Sequence, residues 1–192
     1  MKSYMTSITG LVLLLGAVAF HIEAQIQTSV PVTPDNQAQL VNVAGINTPY
    51  SEYTPFITAD EHFLYFQSNR PGGVASSGDF DLWFSENMAT NGTPEFKMPV
   101  NVDLPVNSAY FDGHPSLRQL PSGEYEMYFC SFAIDDREGP EQTNIYYTIQ
   151  KNGKWTIPAP VIEVNTEFHD RMPSISQDGR YLYFSSDRPG GF

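Results

Sequence analysis

Cysteine occurs once in 192 residues, so no disulfide can form within the chain, whatever its compartment. Basic residues are scarce too: 10 Lys and Arg stand against 22 Asp and Glu, a formal charge of −12. That deficit argues against nucleic-acid binding, which needs cations to neutralise phosphates. It argues equally against a polybasic membrane-surface module. Long apolar runs are also missing. The longest, Ile8 to Phe20, covers about 13 residues, too short to span a bilayer as a helix. Aromatics, by contrast, are plentiful, with 13 Phe, 11 Tyr and 2 Trp. The 14 Gly and 15 Pro are too many for a helical bundle and too few for collagen or a low-complexity tail. This balance predicts an all-β globular chain, and by length alone one domain or a small two-domain protein.

The N-terminus reads as an address. Lys2 supplies a short basic region, and the run to Phe20 has the length of a signal-peptide core. Residues 1–24 are therefore expected to be a signal peptide and 25–38 a linker. Cleavage after Ala24 leaves a polar region of ordinary length and is favoured over cleavage after Ala19, which fits the small-residue rule better. An uncleaved anchor is the remaining alternative. The mature chain is expected to be periplasmic or secreted, with no membrane span. Cys130 sits in the apolar run Met127-Tyr128-Phe129-Cys130 and is expected to be a buried, inert thiol.

Self-comparison is the informative operation. The pattern Asn-[Thr/Ser]-x-[Tyr/Phe]-x-[Glu/Asp]-x-x-Pro begins at Asn47, Asn107 and Asn165 and ends at Pro55, Pro115 and Pro173. Each proline opens a β-rich run, a turn and a second apolar run: Asp60-Glu61 before Phe63-Leu64-Tyr65-Phe66, Ser122-Gly123 before Tyr125 to Phe129, and Asp178-Gly179 before Tyr181 to Ser186. Asp-Gly between such runs predicts a tight hairpin of the type that needs positive φ at both central positions. Third strands follow at Asp81 to Ser85 and Asn144 to Thr148, then polar turns at Asn91-Gly92 and Asn152-Gly153. Phe96-x-x-Pro99 and Trp155-x-x-Pro158 lead into a short Val-rich fourth strand. The units are 47–106, 107–164 and an incomplete 165–192, within a repeat region spanning 39–192.

Each unit thus reads as four antiparallel strands. The second is apolar on both faces, so neighbouring units must cover it. Radial stacking of such sheets is the β-propeller; a sandwich or a solenoid accounts less well for the repetition. The stretch Pro173-Ser-Ile-Ser-x-Asp178-Gly179-x-Tyr-Leu-Tyr-Phe-Ser-Ser-Asp-Arg188-Pro-Gly-Gly191 resembles the WD40-like β-propeller repeat of bacterial envelope proteins, also typical of TolB. The resemblance runs from about Asn47 to Phe192. It implies a propeller, often six-bladed, in periplasmic or secreted proteins sometimes fused to OmpA-type peptidoglycan-binding domains. The second copy departs from the pattern, with Ser131 to Pro140 replacing the Arg-Pro-Gly-Gly loop.

Candidate residues follow from the repeat. Glu52, Asp112 and Asp170 recur at one position, Arg70 and Arg188 at another, and Asp178-Gly179 marks a hairpin tip. One active site does not need a copy per unit, so these are expected to stabilise the repeat rather than ring a ligand. Asp79, Asp81, Asp135, Asp136, Glu138 and Glu141 form acidic loops that are read as solvated, with Ca²⁺ binding as the alternative. His62, His114 and His169 lack metal-ligand spacing, so no metal and no cofactor are expected. No nucleophile elbow, phosphate loop or dinucleotide fingerprint occurs, and the sialidase Asp-box is absent.

The leading functional expectation is an exported, non-catalytic scaffold that binds a protein or another envelope component through its loops. The rival is an exported hydrolase or lyase acting on glycans or peptides, and a third reading makes the propeller accessory to an OmpA-type domain. Two complete units and part of a third, about 2.5 blades, cannot close a ring. The chain is therefore expected to be a truncated product or part of a larger propeller, with closure by oligomerisation as the alternative.

Overall fold

The computed structural model describes residues 42–75, 78–89, 94–132 and 142–191. The signal-peptide and linker readings, the Asn91-Gly92 turn and the acidic residues Asp135, Asp136, Glu138 and Glu141 lie outside the described residues. Within them the fold is all-β, with antiparallel sheets and no helix. The first sheet has the order β1 (Glu52–Ile57), β2 (Phe63–Ser68), β3 (Asp81–Glu86), β4 (Val100–Asn101). The second repeats it with β5 (Asp112–Gln119), β6 (Tyr125–Ser131) and β7 (Asn144–Lys151). Its fourth position is split between β8 (Lys154–Trp155) and β9 (Ala159–Pro160), both paired with β7. The third sheet is the pair β10 (Asp170–Ile175) and β11 (Leu182–Ser186). No closed ring is present among the described residues.

Successive sheets stack through their first strands: β5 packs on β1, β2 and β3, and β10 packs on β5, β6 and β7. The core between the first two sheets holds Tyr65, Leu82, Leu117, Met127, Phe129 and Tyr146, with Phe63 edge-on to Tyr65 and Tyr125. Alternation along β2 sends Leu64 and Phe66 to the other face, where they join Ile46 and Trp83. This is why the second strands read as continuously apolar.

Each first strand carries a bulge at the repeated proline. Register shifts between Tyr53 and Phe56, Gly113 and Ser116, and Arg171 and Ser174. A bulge leaves a residue unpaired, and proline, having no N–H to donate, suits that place. The residue before it takes a left-handed backbone in every copy: Thr54 at φ 52°, His114 at 55° and Met172 at 52°. This turns its amide towards the preceding sheet. The His114 amide donates to Gln67 Oε1 at 3.1 Å, and the Met172 amide to Cys130 Sγ at 3.2 Å. Gly113 keeps the approach open, since a Cβ there would lie 2.2 Å from Gln67 Oε1.

The hairpin tips differ from expectation. At Asp178-Gly179 only the glycine has positive φ (71°), and the loop is closed by Ser176 N to Tyr181 O at 2.9 Å and Gly179 N to Ser176 O at 2.8 Å. Thr58 to Phe63 and Leu120 to Glu124 close the same way, with Glu61 and Gly123 in the left-handed position. These are longer loops whose single left-handed residue ends the turn. The two-residue turn with positive φ throughout is Asn152-Gly153, at 52° and 75°, joining β7 to β8. Asn152→Ala is expected to cost about 1 kcal/mol in urea unfolding, because alanine tolerates that conformation poorly; a change within error would overturn this assignment.

Candidate functional site: the motif-loop end of the sheets

The motif asparagine, hydroxyl, acid and arginine meet where one sheet hands over to the next. In the first unit the Thr48 amide and hydroxyl donate to Glu52, and the Tyr50 amide donates to Thr48 Oγ1 at 3.1 Å. The second and third units reproduce this: Ser108 N to Asp112 Oδ2 at 2.5 Å, and Thr166 N and Oγ1 to Asp170 Oδ2 at 2.6 and 2.9 Å. The acid therefore ties down the loop that enters its own strand.

Arg70 lies over the Phe66 and Trp83 rings and donates from Nη2 to Glu52 Oε1 at 3.0 Å and to the Ile46 carbonyl at 2.7 Å. Its Nε donates to Ser68 Oγ at 3.0 Å. Arg188 repeats the polar contacts, with Asp170 Oδ1 at 2.5 Å, the Val164 carbonyl at 2.6 Å and Ser186 Oγ at 2.8 Å, and lies over the Phe184 ring as Arg70 lies over Phe66. Both guanidiniums thus tie their own unit's acid to the carbonyl just before that unit begins. Asp170 is buried, which opposes its charge, yet hydrogen bonds from Ser186, Arg188 and Thr166 hold its carboxyl below the usual range.

The motif asparagine bridges sheets. Asn107, almost fully buried, accepts from the Leu82 amide and donates to the Leu82 carbonyl, both at 2.9 Å, and donates also to Asn101 Oδ1. Asn165 does the same to Ile145, at 2.8 and 2.9 Å. The backbone adds Asp112 N to Phe80 O at 2.8 Å and Asp170 N to Thr143 O at 2.9 Å.

The second unit lacks the guanidinium among the described residues. Asp112 is fully buried, its Oδ2 holds the Ser108 amide, and its Oδ1 has no hydrogen-bond partner. Burial pushes its carboxyl up to about 7, against the opposing hydrogen bonds of Ser131 and Ser108, and nearby Asp81 adds to the rise. Asp112, Ser131 and Asn144 face one another in register across β5, β6 and β7, and Asn144 Oδ1 is likewise buried without a partner.

The remaining candidates separate. Asp178 Oδ1 accepts from Ser176 Oγ at 2.7 Å and Arg180 N at 3.1 Å, and Asp60 does the same for Thr58 and His62. Gly179 sits under Arg118, where a Cβ would come within 1.9 Å of Nη1. Asp79 is exposed, whereas buried Asp81 accepts from the Val74 and Ala75 amides and from Asn101 Nδ2. Among the described residues no three His, Cys, Asp or Glu side chains gather as a metal site. His62 faces Glu86 at 3.9 Å, the His169 ring meets the Thr143 amide, and His114 Nδ1 is buried without a partner. Burial pushes the Cys130 thiol up to about 12, which disfavours the thiolate.

Sequence reasoning did not single out the motif aromatics. Tyr50 and Tyr110, at the same motif position, are 51% and 48% exposed. The aromatic letter of the motif was visible, but nothing in one sequence said that it faces water. No known protein-family model matches the chain, and no curated protein matches it.

Proposed function

We propose that the chain is an exported, non-catalytic β-propeller scaffold that binds a protein or other envelope component at its motif-loop end. The observation that carries this reading is the division of labour within the repeat. The recurring acids and arginines are spent on the repeat's own loops, while Tyr50 and Tyr110 recur on the surface. Exposed aromatics repeated on a rigid frame are contact residues by composition, because they bury much area at small entropic cost.

The propeller reading draws support from what the outermost faces expose. Tyr65 faces the second sheet and is 2% exposed; its counterpart Tyr183 in the third sheet is 64% exposed. Ile57 on β1 is 51% exposed, whereas its counterpart Leu117 on β5 is 1% exposed. The two uncovered faces are the two halves of the interface that joins the described sheets, so each suits a further sheet of the same kind.

The test is a panel of glycans and peptides together with retention of a component from envelope extract on the immobilised chain. No turnover is expected, with a retained component lost in the Tyr50→Ala/Tyr110→Ala double variant at unchanged melting temperature. Turnover abolished by a single carboxylate substitution would overturn the scaffold reading in favour of a hydrolase or lyase.

A further inference from the structure

The handover from the first unit to the second carries side chains that the repeat does not call for. Phe80, just before β3, and Phe111, just before β5, stand where the next handover has Thr143 and His169, which bond to each other. Tyr53 on β1 stands where β5 has Gly113 and β10 has Arg171. The three rings adjoin, with centroids 5.7 Å apart from Tyr53 to Phe80 and 6.2 Å from Phe80 to Phe111. Tyr53 is 54% exposed, and Tyr50 and Tyr110 stand exposed in the motif loops at the same end. Charge is divided as well. The loops of this end expose Asp79, Asp103, Glu163, Glu167 and Asp187, while Arg70 and Arg188 are engaged by the repeat's acids and Arg171 is half-buried against Thr143. The exposed cations among the described residues, Lys97, Lys151, Lys154 and Arg180, lie at the opposite end, where the hairpins turn. By sequence, residues 133–141 hold four carboxylates and one arginine, so they bring no net positive charge.

We propose that this seam is where the scaffold docks its partner, and that the partner presents an arginine- or lysine-rich protein segment. The inference rests on the scaffold reading above and names the chemistry of what it binds. Cationic side chains would lie over the Tyr53, Phe80 and Phe111 rings, whose faces attract positive charge, with Asp79 and Asp103 as counter-charges. Arginine suits both parts, since its guanidinium stacks on an aromatic face and pairs with a carboxylate. A neutral glycan would use the rings but leave the carboxylates without a role, and an acidic partner or a nucleic acid would be repelled.

The experiment is fluorescence anisotropy of labelled octa-arginine titrated with the full chain at neutral pH, with chitotetraose binding measured in parallel by calorimetry. Octa-arginine is expected to bind, and Tyr53→Ala to weaken it about 5–10-fold at unchanged Tm, an effect of cation–π size. Tyr53→Phe, which keeps the ring, is expected to bind as the wild type does. The Asp79→Asn/Asp103→Asn pair is expected to weaken binding about 3–10-fold, whereas Glu61→Gln/Glu95→Gln at the hairpin end, which removes the same charge, changes it less than about twofold. Absent peptide binding, or equal losses in the two charge pairs, overturns the inference, the second by showing a general attraction to an acidic chain. So does an unchanged affinity in Tyr53→Ala, or chitotetraose binding that depends on Tyr53 while octa-arginine does not bind. A component retained from envelope extract through Tyr50 and Tyr110 without any octa-arginine binding would leave the scaffold reading standing and remove the basic partner alone.

Discussion

Asn107→Ala is expected to lower the unfolding free energy by about 2–4 kcal/mol, an unusually large effect for so small a side chain. The amide carries the backbone ladder across a gap between sheets, closing on both polar groups of Leu82 and on Asn101. Alanine leaves the buried Leu82 N–H without its acceptor, while the Leu82 carbonyl keeps the bond from the Val102 amide at 2.9 Å. Asn107→Asp is expected to do no better, because a carboxylate accepts from the amide but repels the carbonyl. Asn165 makes the same two backbone bonds to Ile145 but is only half-buried, so water replaces part of what alanine removes. Its alanine variant is expected to cost about half as much. Urea unfolding followed by tryptophan fluorescence suits the comparison, since Trp83 adjoins Leu82. Equal costs at the two positions, or less than about 1 kcal/mol at Asn107, would reduce the residue to ordinary loop capping.

The repeat made much of this legible. Strand order followed from a pattern of period about 60 residues, because residues at equal offsets meet equal surroundings when like sheets stack. The pairing of Glu52 with Arg70 and of Asp170 with Arg188 was inferable on the same ground: a charge that recurs with its opposite in successive units is part of the unit. The left-handed Thr54, His114 and Met172 were not legible. Three chemically unlike side chains share one strained backbone because the bulge and the acceptor in the preceding sheet impose it, and neither is local in sequence. The hairpin tips failed for a related reason. Asp178-Gly179 carries the letters of a two-residue turn, but the Ser176 and Asp178 side chains hold a longer loop. Asp79 and Asp81 looked alike in sequence, yet Asp79 lies exposed in the loop before β3, whereas Asp81 opens β3 and is buried under the Val74 and Ala75 amides and the Asn101 side chain.

The departure of the second copy from the repeat has a pH signature opposite in sign to that of the third. In metal-free buffer Asp112→Asn is expected to stabilise the chain by about 2–4 kcal/mol at pH 8 and to change little at pH 4. The folded carboxyl titrates at about 7, well above an unfolded aspartate near 3.8, so the folded state holds the extra proton between those values. The stability which that proton confers is fully present below about pH 4 and is lost as pH rises through 7. Asparagine behaves like the protonated acid at every pH and abolishes the loss. Asp170 runs the other way. Its carboxyl is held low by Ser186, Arg188 and Thr166 despite burial, so its contribution is present above the unfolded value and lost as pH falls through the folded one. Asp170→Asn is therefore expected to destabilise by about 1–3 kcal/mol at pH 7, with the difference shrinking towards zero at strongly acid pH. Each variant is read as its difference from wild type across pH 3–9, which cancels the titration of Asp60, Asp81 and Glu86 common to all the chains. Difference curves of the same sign at pH 8 would mean that Asp112, like Asp170, already has a cation beside it.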